Sequence, residues 1–197
     1  QMVAGESSVG TGGRLSLITG VGTAGSSGAL VLQTASAGTA GVSGLAIFST
    51  GLATDGNSGA LYIGSGAASS GRSGSVYVTV GSGDSGDGGE IVITAGSSAG
   101  GTGGRVSIVT GYGSETTSGA LLLRTNEGGL ATGLLVLSTG ASTVGNTGAL
   151  FIGSGLATSG RGGSVYVTVG SGDSGSGGEL HLVAGASSVG TGGRLSM

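Results

Sequence analysis

Few residues in this 197-residue chain could do chemistry, and their spacing limits what they can do. His181 is the only histidine, and its counterparts one and two repeat units away are Val92 and Gln1. With no cysteine and no second imidazole, neither a nucleophile–base pair nor a zinc site can be assembled. Asp84, Asp87 and Asp173 lie in glycine-rich turns. A calcium array built on such turns needs a carboxylate in each of them. Here Asp87 returns as Ser176 and most turns lack an acid, so solvation of the turn is the better account. The spacing G-x-G-x-x-G occurs at Gly81–Gly86, but no helical period follows it to hold a phosphate. Thr19, Thr34, Thr50, Thr110, Thr125 and Thr139 recur at one repeat position. A threonine file of that kind raises ice binding, although Ser65, Val80 and Ala95 interrupt it and structural hydroxyl pairing competes as an explanation. No Asn-x-Ser/Thr acceptor is present, which leaves O-linked glycans as the only sugar route. These residues predict no catalytic, cofactor-binding or metal site, and a protein that is not an enzyme.

The elements that carry these residues are set by repetition. Blocks of the form G-x-Φ-x-Φ-x-(T/S/V/A)-G open at Gly13, Gly28, Gly44, Gly59, Gly74, Gly89, Gly104, Gly119, Gly133, Gly148, Gly163, Gly178 and Gly193. Successive blocks are 15 residues apart, save one step of 16 (Gly28 to Gly44) and one of 14 (Gly119 to Gly133). A longer period lies above this one. GSVYVTVGSGDSG from Gly74 returns unchanged from Gly163, 89 residues on, and GALYIGSG at Gly59 returns as GALFIGSG at Gly148. Six blocks thus form a unit of about 90 residues, approximately 13–103 and 104–192, within one continuous array over 1–197. The chain begins and ends inside a block, with no segment of capping composition, and reads as part of a longer array.

Within a block, the opening residues alternate with period two and are rich in β-branched side chains, as in Gly74–Val80. That pattern predicts a strand, and the following Gly/Ser/Asp run predicts a turn in which glycine supplies positive φ. Third and fifth positions are aliphatic (Leu15 and Leu17, Val76 and Val78, Ile91 and Ile93), whereas the tenth is always small (Gly22, Ala53, Ala68, Gly83, Ser98). Large residues facing small ones predict an all-β fold: a parallel β-solenoid with about one 15-residue coil per repeat and a six-coil super-repeat. Charge spacing agrees with that register. Glu90 and Arg105, Glu179 and Arg194, and Arg72 and Asp87 are each 15 apart and would be neighbours on adjacent coils.

The fourth position should face outward, yet it holds Val31, Ile47, Tyr62, Tyr77 and Val92, then Leu122, Val136, Phe151, Tyr166 and His181. An apolar face of that extent marks an interaction surface, and these residues are the expected face for lateral self-association. The competing account is that they support one another along a sheet.

Composition excludes other roles. Glycine supplies 51 residues, charged residues only 8%, and the mean hydropathy is +0.40. A net charge of −3 with scattered arginines does not suit nucleic acid or an anionic membrane surface. No apolar run reaches the length of a membrane span.

The blocks GALYIGSG, GSVYVTVGSG and GEIVITAG resemble the glycine-rich β-solenoid arrays of extracellular fibres and adhesins, over essentially the whole chain. The resemblance implies a spacer, filament or scaffold at the cell surface or outside the cell, and no particular ligand. With the outward apolar face, the expected partner is the chain itself, in a homo-oligomer or filament; the many Ser and Thr residues make glycans a further one. An adhesin stalk or spacer and, from the threonine file, an ice-binding solenoid are the alternatives.

Overall fold

The structure, a computed structural model, describes residues 1–197. It contains no helix and no β-strand. The expected parallel β-solenoid is therefore not formed. The chain instead alternates bend-free segments with short bends, and the bends keep the sequence period. They fall at residues 8–10, 23–25, 39–41, 54–56, 69–71, 84–86, 99–101, 114–116, 129–130, 143–145, 158–160, 173–175 and 188–190. In blocks of regular length these are the eleventh to thirteenth positions. The chain divides into two units, Gln1–Thr94 and Ala95–Met197, and the same alternation runs through each.

Each bend lies in a loop whose neck is narrow. The block-opening Gly N–H donates to the carbonyl of the Gly eight residues earlier at six necks. These are Gly13 to Gly5 (2.7 Å), Gly28 to Gly20 (3.0 Å), Gly104 to Gly96 (2.8 Å), Gly119 to Gly111 (3.1 Å), Gly178 to Gly170 (3.4 Å) and Gly193 to Gly185 (2.8 Å). No second backbone bond follows at any neck. A β-ladder needs successive pairs, so one bond per loop leaves the bend-free segments unpaired. This is why alternation did not become strand. A period of two decides which side chains share a face, but only a neighbouring segment about 4.8 Å away makes a sheet.

No residue is buried. The half-buried ones are Ala4, Thr19, Thr34, Ala95, Thr110 and Ala184 at the seventh block position, and Ala53 and Gly113 at the tenth. Accessible surface totals 19323 Å². A folded 18.0 kDa monomer would expose about 8,000 Å² and its extended chain about 26,000 Å². Most of the surface that folding normally hides is thus open to solvent.

Glycine plays a different part from the expected one. Among 51 glycines only Gly56 (φ 147°) and Gly86 (φ 81°) have positive φ. The block-opening glycines are needed for room instead. A Cβ on Gly13 would lie 2.8 Å from the Gly5 nitrogen, and one on Gly104 would lie 3.1 Å from the Gly96 nitrogen. At two tenth positions glycine has a similar cause. A Cβ on Gly22 would stand 2.6 Å from the Gly25 carbonyl oxygen, and one on Gly113 would stand 2.5 Å from that of Thr117. There the missing side chain keeps the bend clear of its own carbonyls, whereas Ala53, Ala68 and Ser98 carry a Cβ at the same position.

Candidate functional site: an uncovered repeat surface

The residues with chemical potential remain scattered on the surface. No cavity forms, and no three His, Asp or Glu side chains come together. The one basic nitrogen within 4.0 Å of a carboxylate oxygen is His181 Nδ1, 3.8 Å from Glu179 Oε1, between side chains that are 77% and 84% exposed. The two residues flank Leu180, as neighbours on one face of an alternating segment do. So open a contact contributes little to stability.

The register pairs depended on coils stacked one block apart. Glu179 with Arg194 and Arg72 with Asp87 form no ion pair within 4.0 Å, and Glu90 and Arg105 fall in separate units. Without the solenoid, nothing sets residues 15 apart side by side.

The ten outward residues, Val31, Ile47, Tyr62, Tyr77, Val92, Leu122, Val136, Phe151, Tyr166 and His181, are all exposed. So are the third and fifth positions that were expected to form a core. Only the third position is set apart: its large apolar side chains cluster at 52–58% exposure, whereas Ile63 and Ile93 at the fifth, on the same face, are as open (76% and 74%) as Val92 at the fourth (76%). No two-faced pattern therefore runs through the bend-free segments. The core expected from the third and fifth positions is therefore absent.

Sequence reasoning also missed the role of the seventh position. Each of these side chains packs against the Gly that opens the next block: Ala4 on Gly13, Thr19 on Gly28, Ser65 on Gly74, Val80 on Gly89, Thr110 on Gly119 and Val169 on Gly178 are examples. The signal was visible as the restriction of this position to Ala, Thr, Ser and Val. Its cause, a neck eight to ten residues long, was not. Thr19, Thr34 and Thr110 are half-buried there, while Thr50, Thr125 and Thr139 are exposed, so the threonine file is not presented evenly to solvent. At two necks a hydroxyl replaces the backbone bond: Ser65 Oγ donates to the Gly74 carbonyl and Ser154 Oγ to that of Gly163, both at 2.8 Å. In the bends, Ser7, Ser98, Ser142 and Ser187 accept through Oγ from the N–H three residues on, at 2.9–3.0 Å. These are local serine turns.

The chain matches no family model, no curated protein and no solved structure. No helix is long and apolar enough to cross a membrane.

Proposed function

We propose that the chain is a structural repeat segment whose work is association with further copies of itself, forming or contributing to an extracellular fibre or filament. The observation that carries this reading is the absence of any buried residue in a chain of mean hydropathy +0.40. Apolar surface of this extent is unfavourable in water by roughly 25 cal/mol per Å². One molecule has left it uncovered, and an assembly is the remaining way to cover it. A second copy is the natural partner, because the same apolar face recurs block after block and fits one partner as well at any register.

Backbone polarity supports the same reading. A folded chain forms about one internal hydrogen bond per residue. Here six backbone bonds and seven involving serine side chains are made. The remaining donors and acceptors are free to pair with another chain, as in strand addition between molecules. The ice-binding alternative has less behind it, because Thr19, Thr34 and Thr110 are half-buried and only Thr50, Thr125 and Thr139 of that file stand open to solvent.

Light scattering on the chain over a rising concentration series, with electron microscopy of the same samples, tests the proposal. The expected result is mass growth with concentration and filaments in the images. A species that stays monomeric to millimolar concentration would overturn it.

A further inference from the structure

Two stretches of the chain carry identical faces. Residues 72–83 and 161–172 run without a bend between bends at 69–71 and 84–86, and at 158–160 and 173–175. Each contains the segment Ser-Val-Tyr-Val-Thr-Val, uncharged, free of proline and rich in β-formers. Segments of that composition, when exposed, pair readily with like segments. Their exposures match as well: Val76, Tyr77 and Val80 are 53%, 85% and 46% exposed, and Val165, Tyr166 and Val169 are 55%, 86% and 43%. None of their backbone groups from Ser75 to Val80, or from Ser164 to Val169, bonds to another backbone group.

The charges at the ends define a direction. On alternate residues, one face reads Arg72, Gly74, Val76, Val78, Val80, Ser82, Asp84, and its duplicate reads Arg161, Gly163, Val165, Val167, Val169, Ser171, Asp173. Arg72 and Asp84 are equidistant from Val78, and Arg161 and Asp173 from Val167. Two such faces laid antiparallel about the central valine would set Val78 opposite Val78, Val76 opposite Val80, and Arg72 opposite Asp84 at both ends. A parallel, in-register pair would set arginine on arginine and aspartate on aspartate, which is destabilising. In the single chain none of these four charges makes an ion pair.

We infer that residues 72–84 and 161–173 are two equivalent contact sites through which copies of this chain pair antiparallel, centred on Val78 and Val167. The inference rests on the self-association proposed above and names its contact. An antiparallel pair of identical segments is two-fold symmetric and closes on itself. One site per chain would therefore end assembly at a dimer. Two sites allow each copy to engage two others, and growth becomes open-ended.

Full-length variants test this by light scattering. Val78→Asp or Val167→Asp alone places two carboxylates face to face at one site, and each is expected to stop assembly at the dimer. Both together are expected to give a monomer at concentrations where the wild type grows. Neither valine belongs to a core, so the substitutions leave no cavity. A double variant that assembles at the wild-type concentration would overturn these sites while leaving self-association standing; a wild type that never assembles removes both.

The direction has its own test. Asp84→Arg with Asp173→Arg should raise the concentration needed for assembly on the order of tenfold. Adding Arg72→Asp and Arg161→Asp should restore it, because the end pairs re-form with reversed sign. Equal assembly by the wild type and both reversed proteins would overturn the antiparallel register.

Discussion

The alanine necks and the valine necks of this chain are built to one plan and close to different degrees. Where Ala4, Ala95 or Ala184 stands at the seventh position, the neck bond measures 2.7–2.8 Å. Where Thr19 or Thr110 stands there it measures 3.0–3.1 Å, and at Val169 it lengthens to 3.4 Å. At Val80 no bond forms. No bond forms at Thr34, Thr50, Thr125 or Thr139 either, so side-chain volume orders the lengths of the necks that do close without deciding alone which of them close. A methyl group leaves room for the N–H to reach its carbonyl. An isopropyl group inserts a Cγ where the glycine would have to come, and a Cβ on Gly89 or Gly178 would lie 2.5 or 2.6 Å from that carbon. The difference teaches that the repeat is a set of loops graded in tightness. The two valine necks directly follow the Ser-Val-Tyr-Val-Thr-Val segments, whose last valine is the wedge.

The largest expected effect on this grading comes from the glycine side of the tightest neck. Gly13→Ala brings a Cβ within 2.8 Å of the Gly5 nitrogen and 3.2 Å of its oxygen, and both are backbone atoms that cannot step aside. The neck should open and lose its bond, at about 1 kcal/mol, or roughly fivefold faster amide exchange at residue 13 by NMR. Gly20→Ala, where a Cβ would meet nothing within 4 Å, is the control and should leave its neck amide unchanged. Equal behaviour of the two would mean that the neck glycines are not there for room.

Exchanging the wedges sharpens the comparison with a smaller effect. Ala95→Val should lengthen the Gly104 neck toward the 3.4 Å of Val169, and Val169→Ala should shorten the Gly178 neck toward 2.8 Å. Each should shift amide exchange at the neck glycine by two- to threefold, in opposite directions, which corresponds to about half a kcal/mol. If both substitutions move exchange in the same direction, side-chain volume is not what sets the neck.

How much of this was legible in the sequence differs from residue to residue. The period and the phase of the bends were readable from the spacing of Gly13, Gly28 and their successors. The small residue at position ten was readable too, although at Gly22 and Gly113 its cause is the carbonyl of Gly25 or Thr117 across the bend. The strands were not, because the alternation of Val76, Tyr77 and Val78 constrains only the segment itself. Pairing depends on whether a second segment lies alongside, and in one chain none does. The ion pairs of Glu90, Arg105, Glu179, Arg194, Arg72 and Asp87 fell with the coil register that placed them together. The residues from Val31 to His181 are exposed, but so are the positions meant for the core, so exposure does not set an outward face apart.

A third kind of neck tests whether bulk or hydrogen bonding closes a loop. Ser65 and Ser154 are intermediate in size between alanine and threonine, yet their necks lack the backbone bond and close through the hydroxyl. Removing that hydroxyl leaves an alanine, the residue that elsewhere permits the shortest backbone bond. Ser154→Ala should therefore exchange one closure for another, with the Gly163 amide becoming protected about twofold and little net change in stability. Cumulative substitution of Ser65 and Ser154 is expected to give the same result at both necks, since the two belong to separate units. Faster exchange at residue 163 would show that the serine hydroxyl holds a neck that bulk alone cannot close. The smallest effect belongs to the bends. Ser98→Ala removes the acceptor of the Gly101 N–H, which is 3.0 Å away and fully open to water. Water can take over the exposed donor, so the loss should stay within a few tenths of a kcal/mol. The Gly104 neck beyond it should keep its amide exchange rate. A Ser98→Ala chain whose Gly104 neck opens would mean that the bend sets the neck, and that the gradation from alanine to valine is its consequence.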